Sequence, residues 1–183
     1  MALKATIYKA QVRLSDLDRN VYGEHSVTLA RHPSETDERL LVRLLAFALH
    51  APVDPDQSPL EFAKDLWEAD EPSLWQKDAT GRVTHWIDVG HPDEKRLLRT
   101  SARVDRIGVF GYGTGTALWW KGLESRLTRV QNLSVWHIPS AQSQALAGLA
   151  QRTMQLQFTV QDGAIWVDDG TRSVEVAPLR LRE

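Results

Sequence analysis

The sequence predicts a mixed α/β fold: a central mixed sheet flanked by helices, with an N-terminal hairpin and a C-terminal antiparallel meander. Three observations carry this. The first third opens on residues that alternate apolar and polar with a period of two. In the middle third, strand-like and helix-like segments alternate, which implies parallel strands joined by crossover helices. The last third returns to period two, broken by Asp-Gly turns.

In order, Ala10, Val12 and Leu14 alternate with Gln11, Arg13 and Ser15 as in a half-buried strand. Asp16 to Asn20 reads as a turn and Val27 to Ala30 as the returning strand of a hairpin. Ser34 is the expected N-cap of a helix with Asp37 at its third position, a variant capping box. Leu40, Leu41, Leu44, Leu45, Phe47 and Ala48 continue that helix to about His50. Residues 51–59 hold Pro52, Pro55 and Pro59 and read as a loop, because proline continues neither a helix nor a sheet ladder. Residues 60–82 are weakly patterned. Val83 to Val89 is then a strand, Pro92 to Val104 a helix, Arg106 to Tyr112 a strand, Thr116 to Leu127 a helix and Val130 to Ile138 a strand. Met154, Leu156, Phe158 and Val160 alternate with polar neighbours up to the Asp162-Gly163 turn. Ala164 to Asp168, a second turn at Asp169-Gly170, and Ser173 to Val176 complete the meander. No repeat or linker divides the chain, which reads as one domain, 1–183.

Composition narrows the chemistry. With 42% hydrophobic and 25% charged residues the chain is globular in character, and 183 residues suffice for a substantial core. It has no cysteine, so disulfide scaffolds, thiolate zinc sites and cysteine nucleophiles are excluded. The net charge of −2 leaves phosphate recognition to a local patch rather than to bulk electrostatics. Lys4 and Lys9 interrupt the start where a leader peptide needs its apolar run, and no stretch is long and apolar enough to span a membrane, so a cytoplasmic location is expected.

Nucleophile elbows, Walker loops and His-Glu-x-x-His are all missing. Gly111-Tyr112-Gly113-Thr114-Gly115-Thr116 lies between a strand and a helix. It lacks the third glycine of a dinucleotide loop and reads better as a tight turn than as a phosphate cradle. The richer segment is Trp86 to Arg96. It places Asp88 near the carboxyl end of a strand, where sites gather in open α/β sheets. A buried acid there needs a partner: a cation, a metal or water. Arg96, Arg99 and Arg103 follow at helical spacing, a basic stripe that reads either as a phosphate contact or as a solvated face. Glu68, Asp70 and Glu71 form a second acidic group, and Glu35, Asp37 and Glu38 a third at a helix start, where the helix dipole also favours acids. Glu38 shares the inward face with Leu41 and Leu45.

Five segments together are similar to the bacterial YaeQ family, and the likeness spans essentially the whole chain. They are Arg31-His32-Pro33-Ser34-Glu35-Thr36-Asp37-Glu38-Arg39, Asp70-Glu71-Pro72-Ser73-Leu74-Trp75, the run from Trp86 to Arg96, Asn132-Leu133-Ser134-Val135-Trp136 and Gln161-Asp162-Gly163-Ala164-Ile165-Trp166. The resemblance implies a PD-(D/E)XK, restriction-endonuclease-like fold, in which acids hold magnesium or manganese for phosphodiester hydrolysis and a lysine steadies the phosphate. On that pattern the metal ligands are Glu38, Glu71 and Asp88, with Glu35 as substitute for Glu38, and the catalytic groups are Asp88, Lys95 and Glu38. Two positions depart from it. Ser73 stands where an acid is expected, with Glu71 two residues away. Gly90 stands where the lysine is expected, with Lys95 or His91 as groups that would reach the same space. Arg96, Arg99 and Arg103 would meet phosphates.

Two readings follow. One is a metal-dependent nuclease, supported by Glu38, Asp88 and the basic stripe. The other is a non-catalytic module on the same scaffold, binding nucleic acid or protein, supported by Ser73, Gly90 and the net charge. The sequence leans to the first and assigns no protein partner.

Overall fold

The computed structural model describes residues 4–54 and 56–183. The first residues of the segment read for a leader, and Pro55 of the proline-rich loop, lie outside them. In chain order the elements are β1 (Thr6–Asp16), β2 (Val21–Arg31), α1 (Asp37–His50), β3 (Leu60–Phe62), β4 (Leu74–Lys77), β5 (Val83–Val89), α2 (Glu94–Ser101), β6 (Arg106–Tyr112), α3 (Thr116–Leu123), β7 (Leu133–Ile138), α4 (Ser140–Ala147), β8 (Thr153–Gln161), β9 (Ala164–Asp168), β10 (Ser173–Val176) and β11 (Leu179–Arg182). The fold is mixed α/β, but in place of one central sheet it has two mixed sheets. Residues up to Asp54 together with Ala141–Ala177 make one compact unit, and residues 55–140 with Pro178–Glu183 make the other.

The first unit holds a five-stranded sheet in the order β10-β9-β8-β1-β2. The expected hairpin and meander are both present, and a parallel pairing of β1 with β8, Lys9 opposite Thr153 through Asp16 opposite Val160, joins them into this one sheet. The alternation of the two strands explains the pairing. Ala10, Val12 and Leu14 lie in register with Met154, Leu156 and Phe158, and all six are buried on one face. Asp162 and Gly163 both take positive φ, 53° and 78°, as a type I′ turn requires. The second turn differs from expectation. Only Gly170 has positive φ there, and Asp169 Oδ1 accepts the N–H of Thr171 and of Arg172 at 2.9 and 2.6 Å, closing a longer loop.

Helix α1 starts two residues later than the capping-box pattern suggests. Thr36, not Ser34, is the N-cap, its hydroxyl accepting the Arg39 N–H at 3.1 Å. Ser34 instead turns back onto the His32 ring. The intervening Glu35 is buried and bridges two arginines: Arg43 Nη2 and Nε reach its carboxylate at 2.5 and 2.9 Å, and Arg39 Nη1 at 2.5 Å. Every residue from Leu40 to Ala48 is buried, including Arg43.

The second unit holds a six-stranded sheet in the order β11-β7-β6-β5-β4-β3. The parallel trio β5-β6-β7 is the one the strand–helix alternation predicts. Strands β3, β4 and β11 come from segments with too weak a pattern to be read. Helices α2 and α3 cover an apolar cluster that includes Trp86, Leu97, Ile107, Val109, Trp120, Leu133 and Val135. Helix α2 is shorter than the expected Pro92 to Val104, because the Asp93 side chain caps the Arg96 N–H at 2.8 Å and fixes the start at Glu94. Helix α3 ends at Leu123 and continues as a 3₁₀ turn, Glu124–Arg126. No helix among the described residues is long and apolar enough to cross a membrane.

His85, in the middle of β5, is buried opposite Arg106 of β6. Burial, with Arg106 adding to it, pushes its pKa from 6.5 down to about 4. The unfolded chain takes up the proton near pH 6.5 and the folded chain refuses it until about 4. The stability due to neutral His85 is therefore complete above pH 6.5 and is lost as the pH falls towards 4. His25 and His91, also lowered by burial, act in the same direction. Urea unfolding is expected to show about 2 kcal/mol less stability at pH 5 than at pH 7 from His85 alone, and a His85→Asn variant is expected to flatten that dependence.

Candidate functional site

The site is built where β5 ends. Strand β5 runs parallel to β6, so its carboxyl end faces the loop into α2 and the glycine-rich loop after β6. Asp88, the penultimate residue of β5, is buried. Its carboxylate is held by Arg96 in a two-pronged contact, Nε to Oδ2 at 2.9 Å and Nη2 to Oδ1 at 3.0 Å. The same guanidinium donates to the carbonyls of Ala69 at 2.5 Å and Glu71 at 3.0 Å, and lies over the Trp86 ring. Its hydrogen bond to Asp88 raises the guanidinium's pKa against the opposing effect of burial, and Asp65 and Asp93 add to the rise.

Ser73, where an acid is expected, lies beside this pair. Ser73 N donates to the Ile87 carbonyl at 3.0 Å, and its hydroxyl accepts the Val89 N–H at 3.3 Å. That hydroxyl in turn donates to Asp65 Oδ1 at 3.0 Å. Asp65 was not singled out in the sequence. It sits at φ 54°, a left-handed conformation that aspartate tolerates better than most residues, eight positions before Ser73. No periodicity marks it.

At the lysine position Gly90 has φ 115°, and its N–H donates to the Phe110 carbonyl at 2.9 Å. A side chain there would be strained, so this backbone is shaped for glycine. Lys95 does not fill the gap. Its side chain is exposed and makes no hydrogen bond or ion pair with another described residue. The cation that reaches back to Asp88 is the next residue, Arg96, so this arginine, expected to meet phosphate, is instead engaged by the acid. His91 is also turned elsewhere: its Nε2 is 2.8 Å from Thr116 Oγ1 and its ring stacks on Trp119 at 5.2 Å. Burial, the nearby His137 charge and an opposing hydrogen bond to the Tyr112 backbone leave its pKa lowered. The glycine-rich loop thus serves as a tight turn pinned by His91. A Cβ on Gly111 would stand 2.5 Å from Thr116 Cγ2, so only glycine fits beneath that threonine.

The other expected residues are placed as follows. Glu71, half-buried, accepts the Lys64 N–H at 3.3 Å through its carboxylate. Glu38, in the first unit, accepts the hydroxyl of buried Ser143 at 2.5 Å. Glu35, its substitute, is committed to Arg39 and Arg43. Arg99 is exposed and stands 3.7 Å from exposed Asp70. Arg103 lies past the end of α2, so the expected stripe does not continue along one helix face. Among the described residues no three His, Asp or Glu side chains come together in a group able to hold a metal ion. Magnesium or manganese therefore does not fit the residues present. Asp88 is already paired with Arg96, and Ser73 and Gly90 stand where the resemblance leads to the expectation of an acid and a lysine.

Fold and site define a mixed α/β protein with a buried acid, paired with a partly buried arginine, at the carboxyl end of its parallel strands. The chain belongs to the YaeQ family, whose model, described as YaeQ protein, matches residues 1–178. It is 42% identical over 177 residues to the uncharacterized protein YaeQ of Salmonella typhi and to that of Escherichia coli K12, covering 96% of this chain and 95% of each relative. It is also similar to the crystal structure of the YaeQ protein from Xanthomonas axonopodis pv. citri, with a TM-score of 0.92 and 43% identity over 98% of this chain and 99% of that one. The YaeQ structure from Pseudomonas syringae matches with a TM-score of 0.90 and 36% identity, over 98% and 97% of the two chains.

Proposed function

We propose that the chain is a non-catalytic nucleic-acid-binding module on a restriction-endonuclease-like scaffold, its former metal position closed by an internal cation. The observation that carries this is the Arg96 guanidinium seated on both oxygens of Asp88. A guanidinium in that place neutralises the carboxylate and keeps it from a divalent ion, and it offers no acidified water for attack on phosphorus. The scaffold reading is supported by the adjacency of Ser73, the residue just before β4, to Asp88 of the antiparallel strand β5, where a nuclease of this class would set its two acids.

The binding surface in this reading is the exposed side of α2 and the turn after it: Lys95, Arg99 and Arg103. Arg96 is excluded, because it faces inward. Arg99 is held to Asp70 only loosely, with both side chains largely in solvent, and such a pair gives way to a phosphate at little cost. Fluorescence anisotropy with single-stranded DNA, duplex DNA and RNA tests this at two salt concentrations. Expected is binding that weakens steeply with salt, without cleavage in magnesium or manganese. The Lys95→Ala, Arg99→Ala, Arg103→Ala triple variant is expected to reduce the logarithmic salt slope by about 3. Absence of binding at low salt contradicts the nucleic-acid reading. Cleavage lost in Asp88→Asn contradicts the non-catalytic one.

A further inference from the structure

His91 stands at the entrance to α2, and its ring is fixed from several directions. Nε2 lies 2.8 Å from Thr116 Oγ1, and one ring face stacks on Trp119, with centroids 5.2 Å apart and planes 24° from parallel. A further hydrogen bond runs to the Tyr112 backbone. Thr116 and Trp119 are three residues apart in α3, so they share one face of that helix and grip the ring together. The Trp119 indole N–H also donates to the Pro92 carbonyl at 2.9 Å, which ties the residue after His91 to the same helix.

Despite these anchors His91 is exposed, and Trp119 is the one ring it contacts among the described residues. Its surroundings are open. Thr114 and Gly115 are exposed, and a Cβ on Gly115 would stand 3.7 Å from His91 Cε1, so the lack of a side chain there leaves the ring edge uncrowded. Pinning the glycine-rich loop uses Nε2 and one ring face, and needs no exposure. What remains is an aromatic surface already held in place, which gives up little conformational freedom when another ring meets it.

We propose that the ligand of the α2 surface is single-stranded nucleic acid, one base of which extends the His91–Trp119 stack. This rests on the nucleic-acid reading of that surface. The neighbouring charge favours a polyanion: exposed Lys95 follows His91 by four residues, within about 14 Å of chain, and exposed Arg99 lies one helical turn further on. Cations that track a phosphate backbone beside a ring that accepts a base are the combination by which single strands are held. A duplex keeps its base faces stacked on one another and presents only phosphates, sugars and groove edges. The ring therefore adds nothing to duplex binding. Burial and the His137 charge lower the His91 pKa against the Tyr112 hydrogen bond, so at pH 7.5 the ring is neutral and contributes stacking rather than charge.

Fluorescence anisotropy at pH 7.5 with three probes tests this: a single-stranded DNA, an abasic strand of the same length, and a long duplex. The wild-type chain is expected to bind the single strand more tightly than the abasic strand, which has the same phosphates and no bases. His91→Asn removes the ring and keeps a polar group for Thr116. It is expected to weaken single-strand binding by about 5- to 150-fold, with the logarithmic salt slope, the abasic strand and the duplex unaffected. His91→Phe keeps a ring and is expected to retain most of the single-strand affinity, which a purely structural role for the Thr116 contact would not allow. Circular dichroism verifies that both variants are folded. Equal binding of the single and abasic strands by the wild-type chain, wild-type single-strand affinity in His91→Asn, or an equal loss on all three probes overturns the stack and leaves the α2 surface standing. Binding of none of the three probes by the wild-type chain overturns both.

Discussion

Replacing Arg96 with alanine is expected to lower stability by about 3 kcal/mol, read as a fall of roughly 6–12 °C in melting temperature for a chain of this size. The cause is not the loss of a surface contact. Asp88 is buried, with its side chain only 8% exposed, and Arg96 neutralises both of its oxygens. Removing the arginine leaves that charge in a low-dielectric site. It also unties the Ala69 and Glu71 carbonyls. The reverse change is expected to cost less, about 1–2 kcal/mol, because in Asp88→Asn the guanidinium keeps those two carbonyls and remains partly in solvent. The double variant Arg96→Ala, Asp88→Asn is expected to be more stable than Arg96→Ala alone, since no buried charge is left. Urea unfolding of the four proteins of this cycle measures the coupling directly.

Glu35→Ala is expected to cost about 3–5 kcal/mol, the largest single effect in the first unit. Its carboxylate carries Arg43 on both oxygens and Arg39 on one, with Glu35 and Arg43 almost wholly excluded from water. Deleting the acid leaves the buried Arg43 cation without its counter-charge and loosens the entry into α1. An internal control is at hand. Arg82 and Asp105 form a two-pronged pair at 2.8 and 3.0 Å, but both side chains are 53% exposed. Breaking that pair with Asp105→Ala is expected to cost under about 1 kcal/mol. Comparable losses at the two sites contradict the assignment of burial as the cause.

Legibility followed locality. Val83–Val89, Arg106–Tyr112, Ala164–Asp168 and Ser173–Val176 coincide with strands read from alternation and turns, because each is specified by its own side chains. The β1–β8 pairing is invisible locally, since its partners are separated by more than a hundred residues and nothing in either strand names the other. Strands β3 and β11 are short edge strands whose existence depends on their neighbours rather than on pattern. At the site the acid Asp88 was legible from its place at the end of a strand. The kind of partner it needs was also legible, as a cation, a metal or water, but not which residue supplies it, which is Arg96. Helical spacing says which residues share a face, but the Asp93 cap that sets the phase of α2, and so directs Arg96 at β5, is decided by the fold. Asp65 was missed for a similar reason, because its contact with Ser73 depends on a left-handed backbone.

The proposal that Arg96 keeps Asp88 from a divalent ion is most directly tested by the melting temperature of the wild-type chain and of Asp88→Asn in millimolar magnesium and manganese. With Asp88 already neutralised, neither ion is expected to raise the wild-type melting temperature by more than it raises that of Asp88→Asn. A rise in the wild-type chain that Asp88→Asn abolishes contradicts the account, for it means that the carboxylate releases its arginine to take a divalent cation.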